Sequence, residues 1–593
     1  MRRPALKPLL GLLLLPLAAP LRAQEQRDDL TPLEISYELK VAEDLQRFEV
    51  GMEIRHVTRP YLHVALPEWM PGAYMLFHFS RRLEDLRAEG ADGSPLEVLP
   101  LGHGRWSIAT AGRPEIHLRY RVPASRGFRG RRPDPSEPVT GLRVNGPGTF
   151  LYVEGAKSRP VRVRYELPEG WGLANGLLPG DGPWERRARD YDTLADAPTI
   201  LGHFLERRFE VAGVPFSCVF FRNNQEYDFD VDAFVDLVRR VVENQARLFG
   251  SLPFPNYVFL FTLPGGGGLE HLNSTSIGLS PEGQKRDPRD GISVVSHEFF
   301  HAWNVKRIRP RVLGPFDYQR ENVTGSLWVS EGWTSYFGDL TLVRTGIWSR
   351  REYLDHLERV ISGELSKPRR SEHSVDWASR HVWYRQPGEE GPRVDYYATG
   401  EYLGLLVDLK MRHETGGRAN LNDLMRFLNR WFAERGTGFE EGDIERACTA
   451  LTNHDFGEFF ARHVTGTVKP PFAEILAYAG IEYSEETLPC SFPFPLRGRR
   501  VGGRRGAETP EDAPRRGDVL LEADGAPLAD PDAFLRSHQP GDRVRLLLDR
   551  GGEKREVEVE LTPETRVRVS LRFLDAPTPE QLRLREAWLG SVE

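Results

Sequence analysis

The sequence predicts a multidomain α+β protein. An N-terminal antiparallel β domain comes first, then an α/β domain with a helical C-terminal part, then a small β-rich module. Three observations support this order. A chain of 593 residues corresponds to about four domains at roughly 150 residues each. Apolar residues alternate with period two in the first third of the chain, and the period becomes helical in the middle. Short strand-like runs between turn residues return near the C-terminus.

The composition is that of an ordinary globular protein and excludes several classes. Hydrophobic residues make up 39% and charged residues 28% of the chain, with a net charge of only −7, so disorder is not the dominant state. No basic excess is present to attract nucleic acid. Cys218, Cys448 and Cys490 are odd in number and widely spaced, which favours three buried thiols over one disulfide.

The first 23 residues have the pattern of a secretory signal peptide. Basic residues precede an apolar run from Leu9 to Leu21, and polar residues follow Ala23. The run is shorter than the roughly 20 apolar residues that span a bilayer, and an uncleaved anchor is the alternative. We therefore expect cleavage after Ala23, a periplasmic or secreted mature chain, and no membrane span after removal of the signal.

Residues 24–205 form the predicted N-terminal β-sandwich-like domain. Gly- and Pro-rich turns separate its alternating runs, which is typical of antiparallel sheets with one solvated face. The clearest runs are Glu34–Leu39, Phe48–Ile54, Ile116–Val122 and Val161–Leu167.

Residues 206–486 form the predicted central domain, with its helical part at about 340–480. Helical periodicity is found at Asp230–Phe249, Tyr353–Leu365, Gly400–His413, Leu421–Glu434 and Phe456–His463. The Arg-, Gly- and Pro-rich segment Leu496–Arg516 predicts a linker or irregular loop. It belongs to the β-rich module expected at 487–575, which a C-terminal tail at 576–593 follows.

A metal-binding motif begins at His297. On a helix, His297 and His301 are one turn apart and point the same way, as two imidazoles that bind one metal ion must. Glu298 lies beside them, free to take a proton from a water molecule. Asp290 or Ser293 can cap this helix. Two histidines with structural roles are the alternative, because so short a motif also arises by chance.

A third ligand is available at Glu331. The predicted helix around it is largely apolar, so an unpaired carboxylate there would be costly to bury, and a metal ion removes that cost. Two histidines from one helix and a glutamate from the next form the gluzincin ligand set for one Zn²⁺. A surface glutamate is the alternative, which the neighbouring Trp328, Trp333 and Tyr336 disfavour.

An apolar run from Tyr257 leads into a four-glycine loop. The loop lacks the spacing and the Lys of a phosphate-binding loop, which excludes nucleotide binding. Gly267 and Gly268 allow the backbone to approach a substrate closely. Glu270 could hold a cationic substrate amine, and an ordinary turn glutamate is an equally open interpretation.

Together these segments resemble the glycyl aminopeptidase family of zinc metallopeptidases. The resemblance rests on Gly267–His271, His297–Pro310, Pro315–Tyr318 and Leu327–Gly332. It extends over most of the mature chain, through Trp69–Tyr74, Asp196–Pro198, Phe459–Phe460 and Gly466–Thr467.

The resemblance implies a thermolysin-like catalytic domain that lies between a β domain and a PDZ-like domain. It implies one Zn²⁺ held by His297, His301 and Glu331, with Glu298 as the catalytic base. It places Glu270 where the free N-terminal amine of a substrate binds.

The resemblance also implies a catalytic tyrosine in the segment Val394–Gly400. Alignment on Gly400 favours Tyr397 over Tyr396 for this role. Thr399 stands where members of the family usually have Lys.

In the C-terminal module, Arg516–Gly525 and Gly541–Val544 resemble a PDZ core. Arg499–Gly506 does not show a clear carboxylate-binding loop. A peptide or protein partner at this module is therefore an open expectation.

The expected function is that of a zinc aminopeptidase that removes small N-terminal residues, Gly or Ala, from exported peptides. Gly267 and Gly268 would contact the substrate beside Glu270. One alternative is an endopeptidase or a broader aminopeptidase with the same site. Another is a catalytically silent peptide-binding protein that uses the PDZ-like module. An epoxide hydrolase on a related scaffold has no positive feature in the sequence.

Overall fold

The computed structural model describes residues 33–125, 139–221, 229–367, 369–384, 394–502, 513–563 and 566–590. The predicted signal peptide, residues 1–23, lies outside these ranges. Within them, none of the helices has the length and apolar character needed to cross a bilayer. The three cysteines are buried and free, which confirms the prediction of three thiols.

In the described residues, the N-terminal domain has three sheets. Its elements are β1 (Glu34–Val41), β2 (Arg47–Arg55), β3 (Tyr61–Ala65), β4 (Glu84–Gly90), β5 (Pro95–Leu96), β6 (Val98–Gly102), β7 (Arg105–Ala109), β8 (Glu115–Pro123), β9 (Gly141–Val144), β10 (Tyr152–Val153), β11 (Val161–Glu166), β12 (Gly172–Ala174), β13 (Leu178–Pro179), β14 (Glu185–Ala188), α1 (Tyr191–Ala195) and β15 (Thr199–Gly202), with a 3₁₀ turn at Phe79–Arg82. The sheet orders are β13-β14-β11-β1-β2-β8-β4-β5, β10-β3-β7-β6 and β12-β15-β9.

Alternation along β1, β2, β8 and β11 places every second side chain in the core, as the sequence predicts. The prediction of an antiparallel domain is wrong at one pair, because β1 and β11 run parallel. A long crossover through β2 to β10 separates these two strands, and such a connection permits parallel pairing.

The central domain combines a five-stranded mixed sheet with a helical region. Its elements are β16 (Leu205–Val211), β17 (Val214–Phe221), α2 (Val231–Phe249), β18 (Tyr257–Thr262), β19 (Gly268–Glu270), β20 (Ser274–Gly278), α3 (Pro281–Arg286), α4 (Ile292–Phe300), a π-helical turn (Trp328–Trp333), α5 (Thr334–Arg344), α6 (Arg350–Leu365), α7 (Val375–His381), α8 (Tyr396–Thr415), α9 (Leu421–Trp431), α10 (Asp443–Thr452), α11 (Gly457–His463) and α12 (Phe472–Ala477), with 3₁₀ turns at Arg311–Leu313, Arg370–Glu372, Val382–Tyr384 and Ala433–Arg435.

The sheet of the central domain has the order β16-β17-β18-β20-β19. Its inner pairs, β17-β18 and β18-β20, are parallel, and the two outer pairs are antiparallel. All six residues of β18 are buried, as expected for a strand covered on both faces. Strand β19 is at the edge of this sheet and lies against α4.

The five helices predicted from periodicity are present as α2, α6, α8, α9 and α11. The two ends of α2 show why helix boundaries could be predicted from the sequence. Asp230 accepts a hydrogen bond from Ala233 N at 2.9 Å at the start of the helix, and Gly250 ends it in a left-handed conformation.

The C-terminal region contains β21 (Ile481–Leu488), β22 (Leu496–Arg497), β23 (Arg500–Val501), β24 (Val519–Ala523), β25 (Ala526–Pro527), α13 (Pro531–Leu535), β26 (Arg543–Arg550), β27 (Glu553–Glu560), β28 (Arg566–Phe573) and α14 (Pro579–Leu589). Strands β22 to β27 form one sheet over a separate hydrophobic core. The segment predicted as a linker contributes β22 and β23, and its residues 503–512 lie outside the described residues.

Strand β28 leaves the module and pairs with β21. Its backbone N–H groups at Val567 and Val569 donate to the hydroxyls of Ser366, which directly follows α6, and of Ser362 on α6, each at 2.8 Å. These bonds satisfy the edge of β28 and attach it to the central domain.

Helix α14 packs into the main core, which extends through the N-terminal and central domains. Trp588 is fully buried there, and its indole N–H donates to the phenol oxygen of Tyr336 at 2.9 Å. Arg412 donates to Ala587 O at 3.1 Å. The last described helix is therefore a structural part of the central domain.

We predict that Trp588→Ala destabilises the central domain by about 3–5 kcal/mol, because the substitution empties a fully buried site. Urea denaturation of the two proteins measures this as a lower unfolding midpoint. Trp431→Ala is the matched control, because that side chain is 50% exposed. Equal shifts for both variants would contradict the packing role of α14.

Candidate active site

Helix α4 places the imidazoles of His297 and His301 side by side, with ring centroids 4.7 Å apart. The helix begins after Gly291, which has a φ of 82° and makes no side-chain cap. The prediction that Asp290 or Ser293 caps the helix is therefore wrong. The chain enters α4 through a left-handed residue, a conformation that glycine adopts without steric cost.

Glu331, which lies in the π-helical turn, joins His297 and His301 to form a cluster of three donors. A π-helical turn is an irregularity that is frequent at functional sites. The Nε2 atoms of His297 and His301 are 3.0 Å apart. Glu331 Oε2 lies 3.2 Å from His301 Nε2 and 3.6 Å from His297 Nε2. Donors about 2.1 Å from one tetrahedral ion lie about 3.4 Å from each other, so the three atoms fit Zn²⁺.

Hydrogen bonds orient both imidazoles. His301 Nδ1 lies 2.6 Å from Asn304 O, and Ser335 Oγ lies 3.2 Å from His297 Nδ1. A proton on His301 Nδ1, assigned from this contact, leaves Nε2 as the lone-pair donor. The Asn304 amide donates to Val329 O at 2.8 Å and so attaches the end of α4 to the turn that carries Glu331.

The charges of the cluster are strongly coupled. Burial lowers the pKa of His301, but the carboxylates of Glu331 and Glu270 outweigh burial and raise it to about 9. Burial raises the pKa of Glu331, but both imidazoles outweigh burial and hold it well below its usual range. The three donors therefore favour positive charge between them.

Glu298 and Glu270 lie beside the three donors. Each has a carboxylate oxygen within 4.8 Å of a His301 nitrogen. Burial raises the pKa of Glu298 well above its usual value; His301 opposes this, and Glu270 and Glu331 reinforce it. Glu298 Oε2 has no hydrogen-bond partner among the described residues. A buried carboxylate with an unpaired oxygen is suited to exchange a proton with a bound molecule.

Glu270 is supported by a buried ion pair that sequence reasoning missed. Lys306 Nζ lies 3.1 Å from Asp196 Oδ1 and 3.7 Å from Glu270 Oε1. Asp196 also accepts from Leu272 N at 2.8 Å and contacts His271 Nδ1 at 3.0 Å. Both segments carry the family resemblance, but nothing in the sequence shows that their side chains meet.

The N-terminal domain reaches this site through Trp69–Tyr74. Tyr74 OH lies 3.3 Å from Glu331 Oε1. Gly72 has a φ of +87°, and a Cβ atom there would lie 2.7 Å from Glu270 Oε2. The sequence alone gave this loop no role in the site, and its only sequence signal is that Trp69–Tyr74 is part of the family resemblance.

Tyr397 lies in the first turn of α8 and stacks over His297, with ring centroids 6.0 Å apart. Tyr397 is 38% exposed whereas Tyr396 is 5% exposed, so Tyr397 faces the cleft. Burial and then the charge of Glu331 raise the pKa of the Tyr397 phenol well above its usual value, which keeps it a proton donor. Thr399 is buried and donates to Glu364 at 3.0 Å.

Gly267 and Gly268 lie on the other side of the site. Gly268 begins β19 and lies so close to Glu298 that a Cβ atom would collide with its carboxylate. Gly267 has a φ of +77°, which favours glycine. The structure therefore brings together seven of the residues that the sequence singled out, namely His297, Glu298, His301, Glu331, Glu270, Tyr397 and Gly268, and Gly267 is next to Gly268 in the chain.

A second buried group links three helices behind the site. His356 Nε2 on α6 lies 2.9 Å from Asp339 Oδ2 on α5 and 2.8 Å from Glu401 Oε1 on α8. Burial lowers the pKa of His356, but the two carboxylates outweigh burial and raise it to about 11. The protonated imidazole of His356 thus balances the buried carboxylates of Asp339 and Glu401. Asp339 is on α5, which follows the turn that contains Glu331, and Glu401 is on α8, which contains Tyr397.

Comparisons with known proteins agree with this architecture. Residues 290–403 match the family model of the M61 glycyl aminopeptidase, and residues 36–203 match that of the peptidase M61 N-terminal domain. No curated protein gives a significant match.

Among solved structures, the chain shares its fold with an aminopeptidase N family protein from Idiomarina loihiensis. The two are 23% identical with a TM-score of 0.75, over 94% of this chain and 100% of that chain. A mutant M1 zinc metallopeptidase from Deinococcus radiodurans with a Tyr-Ser-Ala substrate is 13% identical, with a TM-score of 0.46 over 74% of this chain and 95% of that chain. Yeast LTA4 hydrolase in complex with bestatin is 13% identical, with a TM-score of 0.45 over 79% and 74%.

The family matches and the donor geometry define the class of this protein as a metallopeptidase. Within that class, the chain is similar to the M61 glycyl aminopeptidases over the N-terminal domain and over the segment that bears the three donors.

We predict that Asn304→Ala lowers zinc affinity about 10–100-fold, because it frees the turn of Glu331 from the end of α4. Competition with a chromogenic chelator measures the dissociation constant. Asn429→Ala is the control, because Asn429 is also buried, lies on α9, and donates a hydrogen bond to Glu434 in the following 3₁₀ turn at 3.0 Å. Equal affinities in both variants would exclude this role for Asn304.

We predict that His356→Gln destabilises the protein in a pH-dependent way. The folded-state pKa of about 11 exceeds the unfolded value of about 6.5. The stabilisation is therefore complete below about pH 6.5 and is lost as the pH rises through about 11.

Urea midpoints of wild type and variant at about pH 6 and about pH 9 test this. The difference between the two proteins should be larger at the lower pH. The exposed His381→Gln serves as control. A difference that does not change with pH would show that His356 acts by packing alone.

Proposed function

We propose that the protein is a zinc-dependent aminopeptidase that removes single N-terminal residues from peptides. The observation that carries this proposal is the position of Glu270, whose carboxylate lies within 4.8 Å of His301. A substrate ammonium held at Glu270 leaves space for one residue before its carbonyl reaches the three donors. An endopeptidase would need room for a longer chain on this side.

Zinc held by His297, His301 and Glu331 would supply a Lewis acid and lower the pKa of a coordinated water to about 7. Glu298 accepts the proton of the attacking water and passes it to the leaving amine. Its buried position and raised pKa support the protonated form between these two steps.

Tyr397 and β19 orient the substrate in this proposal. The phenol of Tyr397, above His297, donates to the carbonyl oxygen as negative charge develops there. Gly267 precedes and Gly268 begins the edge strand β19, where a substrate backbone can pair with main-chain groups.

The space near Glu270 supports a preference for glycine or alanine at the substrate N-terminus. The cavity there has a volume of about 10 Å³, roughly the space of one water molecule. Trp69, Tyr74 and Val305 are among the residues that line it. A large first side chain that extended to this side of Glu270 would have to displace these buried groups.

The signal-like residues 1–23 support export to the periplasm or the medium.

We further propose that the C-terminal module formed by β22 to β27 is PDZ-like and binds peptide. A groove of about 970 Å³ between the module and α6, lined in part by Phe492 and Phe494, supports this. The rival function, a silent peptide-binding protein, would use the same groove.

The test is zinc content together with release of Gly or Ala from amino-acid amides, for wild type and Glu298→Gln. We expect one zinc in both proteins and a loss of about 10²–10⁴-fold in kcat for Glu298→Gln, because its amide cannot accept the proton. The exposed Glu282→Gln is the control and should retain wild-type kcat.

Substrate series separate the alternatives. N-acetylated peptides should not be cleaved, and substrates that begin with Leu or Phe should be poorer than those that begin with Gly. Cleavage of acetylated peptides would establish an endopeptidase. Zinc without hydrolysis of either kind would favour the silent peptide-binding protein, and absence of zinc would overturn the proposal.

A further inference from the structure

We propose that Tyr74, a residue of the N-terminal domain, is a positioning residue of the metal centre: its hydroxyl holds one oxygen of Glu331 so that the other oxygen faces the two imidazoles. This proposal rests on the proposed zinc site. It assigns part of that site to a domain other than the one that carries the three ligands.

The two oxygens of Glu331 have different surroundings. Oε2 faces His301 Nε2 at 3.2 Å and His297 Nε2 at 3.6 Å. Oε1 accepts a hydrogen bond from Tyr74 OH at 3.3 Å. Glu331 is only 2% exposed, so an unpartnered Oε1 would be a buried acceptor without compensation. The phenol thus fixes the rotation of the carboxylate.

The backbone of Tyr74 is held in an unusual conformation. Its φ is 45°, a left-handed value that costs free energy for an aromatic residue. Such a conformation persists only where the surroundings determine it. At this position, the Tyr74 ring packs edge-on against Trp383, with centroids 5.9 Å apart, and its hydroxyl reaches Glu331.

The rest of the loop is anchored on the central domain. The Trp69 indole donates to Asp317 O at 2.8 Å, and Glu68 N donates to Tyr318 O at 2.9 Å. Gly72 contacts Leu269 and Glu270 so closely that no side chain fits there. These contacts hold the loop before Tyr74, and after Tyr74 the N–H groups of Phe77 and His78 donate to Glu68 O at 2.7 and 3.1 Å, which makes the hydroxyl a rigid donor to Glu331.

Partners that orient a metal ligand typically change metal affinity 10–100-fold when they are removed. Tyr74→Phe deletes only the hydroxyl, so we expect its zinc dissociation constant to rise about 10–100-fold in a chelator competition. Tyr37→Phe is the matched control. Tyr37 lies in the same domain, is 4% exposed, and donates to Leu151 O at 2.7 Å, far from the three donors.

A spectroscopic readout separates positioning from general stability. With Co²⁺ in place of zinc, a carboxylate free to offer both oxygens raises the coordination number, which weakens the visible d–d absorption. We expect this weakening for Tyr74→Phe and an unchanged spectrum for Tyr37→Phe. Circular dichroism of both variants checks that each is folded. If Tyr74→Phe does not fold, Trp383→Phe loosens the ring but keeps the hydroxyl, and zinc affinity should again fall.

The outcomes are distinguishable. Zinc affinity and Co²⁺ absorption within twofold of wild type in folded Tyr74→Phe, or unchanged affinity in Trp383→Phe where that variant is needed, would overturn the role of Tyr74 and leave the proposed function intact. Equal loss of affinity in Tyr74→Phe and Tyr37→Phe would also overturn it, because the loss would then reflect stability. Wild-type protein that binds no zinc would overturn the proposed function itself.

Discussion

The structure around the site depends on one constraint, which is that the buried carboxylate of Glu331 must be matched by the buried imidazole of His301 and the partly buried imidazole of His297. Glu331 is held ionised by His297 and His301, and the protein can keep these groups out of water only if all three converge. Convergence requires α4 to end at His301 and the next segment to return as a widened turn. The Asn304 amide joins these two segments. The local irregularities of the chain are thus consequences of this charge balance.

The N-terminal domain is a structural part of this centre. Its loop Trp69–Tyr74 contacts Glu331 and Glu270, and Arg143 donates to Thr262 and Ser276 on β18 and β20. The main hydrophobic core continues across the two domains. An interface this buried holds the domains in one arrangement, so that a residue of one can orient a ligand of the other. The module at β22 to β27 differs, because it has its own core and attaches through β21 and β28.

Much of the fold could be predicted from periodicity. The alternation in β1 and β2 and the capped start of α2 are local signals, and the structure confirms them. The parallel pairing of β1 with β11 could not be predicted, because it depends on a distant return of the chain. The prediction of a side-chain cap for α4 was wrong for a related reason. Candidate capping side chains were present, but the chain direction required a left-handed glycine.

The sequence by itself determined the residue types of the site and their local spacing. One helical turn separates His297 from His301, and this sets their common direction whatever the rest of the fold. Only the tertiary structure decided which distant groups complete the site. Lys306 meets Asp196 and Tyr74 meets Glu331 across large sequence separations. Such contacts follow from how sheets and domains pack, and no local periodicity records them.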